Sequence, residues 1–168
     1  MIVRLIGANP GLTLSLGGER VAFASVWRVD WSERGKGNAL VLWHRGTTRV
    51  VAEDLELGAW LAGDFTRHFP EVRGLAWPAP ELTKAPVDLE LDLDEGLRAT
   101  AADVTVEIPG PPRERRAVRV PEFDLGGRPH LLTNVFMPCE TGTVTIGGTP
   151  VAADSATAFL ADAEVWSA

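Results

Sequence analysis

Alternation of apolar and polar residues with a period of two runs through most of this sequence, and a chain written that way buries its apolar residues by forming β-strands with one face turned inward. The pattern is clearest where Val87, Leu89, Leu91 and Leu93 interleave with Asp88, Glu90, Asp92 and Asp94. Carboxylates at every second position of an extended segment point the same way into water. The segment therefore reads as a strand with a wet, aggregation-resistant face, not as a catalytic acid cluster. Asp94-Glu95-Gly96 supplies a turn, and the extended pattern resumes from Leu97 to Ile108 through Val104 and Val106, so 86–108 reads as a β-hairpin.

The stretch from Arg20 to Trp31 is apolar on both faces for its first half. Val21, Phe23, Trp27, Val29 and Trp31 fall on one side, and Ala22, Ala24 and Val26 on the other. Ser32 to Asn38, with Gly35 and Gly37, makes a turn, after which Ala39 to His44 returns as a strand. A turn centred near Gly35 would set Trp27 opposite Trp43 on adjacent antiparallel strands. A second layer is needed to cover the doubly apolar segment. The candidate is a helix at about 55–69, where Leu57, Trp60, Leu61, Phe65, His68 and Phe69 approximate an amphipathic stripe, with Asp54 as its cap and Pro70 as its stop. The region 70–86 carries Pro70, Pro78, Pro80 and Pro86 and reads as a long crossing loop. Further strands are expected at about 117–125, 131–137, 142–146, 149–153 and 157–166. The fold class is mainly β: an antiparallel barrel or a sandwich with one α-helix, in a single domain over 1–168.

Composition limits what such a fold could meet. The net charge of −7 argues against a nucleic-acid surface, since phosphate binding needs clustered positive charge. The one basic run, Arg113 to Arg119, reads as a solvated loop entering a strand, with an anion contact as the alternative. No apolar run approaches the roughly 20 residues of a membrane span, and Met1 to Gly7 is short for a secretory signal. The single Cys139 has no partner in the chain, so the expected setting is cytoplasmic and reduced.

The tail Gly142-Thr-Val-Thr-Ile-Gly-Gly-Thr-Pro-Val151, followed by Phe159 to Trp166 with Ala163-Glu164-Val165-Trp166, resembles the closing strands of lipocalin-like barrels of the bacterial carotenoid-hydratase group. The likeness covers about 25 residues, and the Gly-x-Trp signature is missing from the first long strand. What the resemblance implies is a calycin-type barrel with a side-chain-lined cavity and one helix. It assigns no functional residue.

No motif in the chain identifies a reaction. Trp27, Trp31 and Trp43 sit on two strands expected to pair, so their indoles could wall a ligand cavity or simply fill the core. The three histidines, His44, His68 and His130, are far apart and lack metal-ligand spacing, so neither a metal site nor a cofactor is expected. Asp64 and His68, four apart on the expected helix, would steady it more naturally than act as a general base, and Cys139 beside Glu140 reads as an inert small hydrophobe. The reading these residues support is a barrel that binds a small, largely apolar molecule, with Trp27, Trp31, Trp43, His44 and His130 as the candidate lining. Two alternatives stand beside it. One is an enzyme of hydration or isomerisation type using His44 or His130 next to a carboxylate such as Asp30 or Glu140. The other is a non-catalytic module that self-associates through an exposed edge or apolar patch.

Overall fold

The long strand β3 (Glu19–Ser32) is the axis of the structure, a computed structural model that describes residues 1–168. Its partner on one side is a nearly continuous strand made of β1 (Val3–Ala8) and β2 (Gly11–Leu16), interrupted at Asn9-Pro10. On its other side lies β4 (Gly37–His44), followed by β5 (Thr47–Ala52) and the short parallel strand β6 (Glu81–Lys84). Beyond β1 and β2 the sheet continues through the final strand of the chain, Ser155–Ser167, then Pro129–Cys139 and, at the edge, Arg116–Asp124. A second, five-stranded antiparallel sheet contains β7 (Val87–Asp92), β8 (Gly96–Ala101) and β9 (Val104–Pro109), with Thr143–Ile146 and Thr149–Pro150 beyond them. Numbered in chain order, Arg116–Asp124, Pro129–Cys139, Thr143–Ile146, Thr149–Pro150 and Ser155–Ser167 are β10 to β14.

The mainly β expectation holds, and the two sheets lie in sandwich fashion. Neither closes on itself: β10 and β6 are free edges of the large sheet, and β13 and β7 of the small one. The segment 86–108 contains one more strand than a hairpin, because Ala102 turns through a left-handed conformation (φ 51°) and sends β9 back along β8. Nothing in Ala102-Asp103 announces this turn, since left-handed backbone is usually the place of glycine or asparagine.

Alternation along β3 and β4 builds two different interiors. Ala22, Ala24, Val26, Leu40 and Leu42 face the small sheet and pack with Leu97, Val104, Val106 and Ile108. Phe23, Trp27, Val29, Val41 and Trp43 face the other way and are covered by the helical segment, as the doubly apolar sequence requires. That segment starts at Asp54, whose side chain accepts the Leu57 N–H. It runs as α1 (Leu55–Trp60), a π-helical turn over Leu61–Phe65 and single 3₁₀ turns at Thr66–His68 and Pro70–Val72. Gly58 lets α1 lie against β5: a Cβ there would stand 2.7 Å from Val50 Cγ1.

The expected register of β3 and β4 needs correction. Trp27 pairs with Ala39, and Trp43 with Phe23. β3 is drawn past β4 because β1 holds its end, with Leu5 opposite Ser32 and Ile6 opposite Trp31. The turn is therefore centred near Glu33, and the two glycines lie on its return limb, Gly37 already being paired with Val29. The slip is four positions, an even number, so both indoles keep the same face as expected.

Candidate aromatic pocket

A bulge in β14 makes the most unusual interior feature of the molecule. Ala163 adopts a left-handed conformation (φ 48°), its N–H bonded to Asp162 Oδ1, and the pairing with β11 shifts between Thr133 and Val135. An extra residue reverses which side chains face inward. Before it, Ala158 and Leu160 point to the small sheet; after it, Glu164 and Trp166 point to the opposite, aromatic face. The bulge thus puts a carboxyl where the regular strand would have placed Ala163. Arg28 ties it down through a 2.7 Å ion pair with Asp162.

Around that point lies a cavity of about 160 Å³. β11 contributes Leu132, Asn134 and Phe136 at alternate positions, β14 gives Phe159, Glu164 and Trp166, and β10 gives Val118 and Phe123. The 3₁₀ turn at Pro70–Val72, with Phe69 before it, closes one side with Phe69, Pro70 and Glu71, and Asn9 enters from the break between β1 and β2. Trp166 stacks on Phe69 (5.9 Å between centroids, 12° between planes) and meets the edge of Phe123 at 4.9 Å. Phe136 and Phe159 stack at 5.0 Å. The tip of the Phe159 ring lies against Gly11, where a Cβ would come within 2.5 Å of Cζ, so the glycine sets the position of that wall.

The floor is polar and almost dry. Glu164 is 3% exposed, with Oε2 accepting from Trp166 Nε1 (2.9 Å) and Oε1 from Asn134 Nδ2 (3.1 Å). Burial pushes its carboxyl up to about 7, against the lowering effect of these two hydrogen bonds, and nearby Asp162 adds to the rise. Burial also raises the half-buried Glu71 at the rim. The buried Asn134 Oδ1 has no hydrogen-bond partner, an uncommon state for such an atom. Asn9 donates Nδ2 to Ser25 Oγ and Val26 O. Ser25 Oγ in turn accepts from Thr66, whose hydroxyl also receives Trp27 Nε1. This chain of polar contacts locks the helical segment onto β3 and fixes the cavity's inner end.

The residues singled out from sequence lie elsewhere. Trp27 and Trp43 are core, their N–H groups bonded to Thr66 Oγ1 and Ala76 O. Trp31 is 49% exposed, opposite Ile6 of β1 near the end of β3. His44 sits half-buried at the end of β4, its pKa lowered by burial and by Arg45. His130 is buried, with Nδ1 at 2.9 Å from Arg128 O and Nε2 at 2.7 Å from Arg4 Nη1, an arrangement that takes the ring proton on Nδ1. It borders a separate polar hollow of about 310 Å³ with Arg4, Asp64, His68 and Arg128. The carboxylates weighed as histidine partners are engaged with arginines instead, Asp30 with Arg28 and Glu140 with Arg113. Cys139 is buried and its thiol pushed up by burial, as befits an inert side chain. Arg113, Arg115 and Arg116 of the basic run each pair with a carboxylate.

The pocket residues that sequence reasoning missed did leave a trace. Asn134 interrupts the inward alternation Leu132-x-x-x-Phe136, and Glu164 shares the parity of Trp166; a polar residue at an inward position is the sign of an interior that needs one. Larger hollows of about 530 and 520 Å³ exist at Leu89–Pro109 and Leu14–Ala156, but they are lined largely by exposed strand and turn residues. No protein-family model, curated protein or solved structure matches this chain. The functional reading therefore rests on the geometry alone.

Proposed function

We propose that the protein binds a small, largely apolar molecule in the pocket between β10, β11, β14 and the Phe69–Val72 turn. The observation that carries this reading is the unpartnered Asn134 Oδ1, buried beside a buried carboxyl in a cavity walled by five aromatic rings. An interior serving only stability would have no use for an acceptor left without its hydrogen bond, which costs about 1–3 kcal/mol. An orienting polar group inside aromatic walls is the usual composition of a ligand site. The cavity volume suits a compact molecule of one ring. Trp166 lies in the wall, so binding should change tryptophan emission. The test is a fluorescence screen of single-ring compounds against the wild type and Val118→Trp, which fills the rim from an edge strand without touching the core. The expected result is a saturable change abolished in the variant and retained in Trp31→Phe; no saturable response, or equal binding by Val118→Trp, overturns the proposal.

A second reading, proton-transfer catalysis of hydration or isomerisation type, draws on a different observation. A carboxyl held at about 7 can give and accept protons near neutrality, the property required of a general acid–base group. In that reading Glu164 takes the part for which His44 and His130 were the sequence candidates. Turnover abolished by Glu164→Gln, with binding retained, is the outcome that would select it.

A further inference from the structure

We infer that the ligand of this pocket is an organic cation: a compact ring bearing an ammonium group that sits against the floor formed by Asn134 and Glu164. The inference rests on the reading above that the cavity is a ligand site.

Charge is the first argument. Of the groups lining the cavity, two are carboxyls, Glu71 and Glu164, and none is Lys, Arg or His. The nearby guanidiniums are committed elsewhere. Arg20 donates to the carbonyls of Glu71 and Arg73, Arg28 pairs with Asp30 and Asp162, and Arg116 pairs with Glu114 while lying over Phe136. A buried carboxylate with two neutral donors and no cation is under-compensated, and a positive ligand supplies what the fold omits.

Hydrogen-bonding capacity is the second argument. Most of the floor's donors are spent inside the protein: Trp166 Nε1 and one Nδ2 hydrogen of Asn134 on Glu164, and both Nδ2 hydrogens of Asn9 on Ser25 and Val26. What remains is chiefly acceptor capacity: the free Asn134 Oδ1 and the unused lone pairs of Glu164, against one amide hydrogen of Asn134. A carbonyl or carboxylate ligand finds at most the second Nδ2 hydrogen of Asn134 there. An alcohol offers one hydrogen, whereas a primary ammonium offers three together with its charge.

The walls are the third argument. Five rings, Trp166, Phe69, Phe123, Phe136 and Phe159, line the cavity, and a ring face left open to it carries the negative side of its quadrupole, which attracts a cation and stacks on the ligand's ring. Aromatic enclosure, a buried carboxylate and a free amide oxygen together select an amine over its neutral and anionic relatives.

The competing arrangement is specific. If Glu164 stays protonated and donates to a flipped Asn134 amide, the floor would offer Nδ2 to the ligand and favour an acceptor instead. A matched series decides: 2-phenylethylamine, 2-phenylethanol and phenylacetate, titrated at pH 8 by tryptophan fluorescence and calorimetry. The expected result is an amine bound at least about tenfold more tightly than the alcohol, with phenylacetate weakest. Glu164→Gln should collapse the amine-to-alcohol ratio to about one, checked on a variant whose near-ultraviolet circular dichroism matches the wild type. Equal affinities, or a tighter alcohol or phenylacetate, overturn the cation inference and leave the pocket standing. Binding of none of the three overturns this inference, and the broader screen above then decides the pocket itself. The wild-type series stands as a test even if Glu164→Gln fails to fold.

Discussion

The two faces of the large sheet are packed by different rules. Toward the small sheet, every buried side chain of the cluster is Ala, Val, Leu, Ile, Met or Cys. Toward the helical segment the cluster holds Trp27, Trp43, Trp60, Trp166, Phe23, Phe65 and Phe69, and the polar groups of Asn9, Ser25, Thr66, Asn134 and Glu164 lie on this side. Aliphatic side chains on two facing sheets interdigitate at a uniform spacing and leave no room. Large rings meeting short, irregular helical turns cannot tile so evenly, and the gap that remains becomes a cavity with polar atoms at its edge. One face supplies stability and the other supplies stability and a cavity.

Truncation should separate the faces most strongly. Trp27→Ala should cost about 5 kcal/mol in urea denaturation, since it empties a large buried volume and strips Thr66 of its donor, whereas Leu40→Ala on the aliphatic face should cost about 3. Equal costs would mean that ring packing brings nothing beyond buried volume.

Acid–base behaviour sharpens the contrast, because only the aromatic face holds a buried carboxyl with a strongly raised pKa. The folded pKa of Glu164 is about 7 against an ordinary value of 4.5, so the folded state binds its proton more tightly than the unfolded chain. Its contribution is therefore complete below pH 4.5 and is lost as pH rises through about 7, a fall of about 3 kcal/mol. His44 and His68, whose pKa values are lowered, act in the opposite sense: the stability they leave in place above their ordinary pKa of 6.5 is lost on acidification. Comparing wild type with Glu164→Gln across pH 4.5 to 8 isolates the carboxyl. The variant should gain on the wild type as pH rises, and parallel curves would place Glu164 in a far more hydrated setting.

The smallest effect is expected where an aromatic residue lies outside both interiors. Trp31→Ala should change stability by about 0.5 kcal/mol or less, because half of the side chain is already in water. A cost near that of Trp27→Ala would show that this outer surface is covered in solution.

Much of the two-faced design was legible in the sequence. The double apolar pattern of Arg20 to Trp31 required a cover, the stripe from Leu57 to Phe69 was the available one, and Asp54 marks its start. Faces were readable because they depend only on parity; register was not, because it depends on where β1 grips β3, a contact between distant segments. The pocket was hidden for a related reason. Its key residue is turned inward by a bulge at Ala163, where the sequence shows neither glycine nor proline, and the tryptophans chosen as its wall are spent on packing around Thr66 and Ala76. A conspicuous residue type marks where a core is thick; a polar residue in an apolar parity marks where it is open.

The Asn9-Pro10 interruption and the β14 bulge meet at one end of the same cavity, although some 150 positions of chain separate them. While the chain is being synthesised, the β7–β9 meander can pair as soon as it emerges, since its partners are neighbours in sequence. The cavity floor has no such option: until β14 pairs between β11 and the β1–β2 strand, Glu164 and Asn134 do not meet, and β1 and β11 present bare edges. The floor of the cavity is thus completed only by the pairing of β14, and before it the open edges of β1 and β11 are exposed to pairing with those of another molecule.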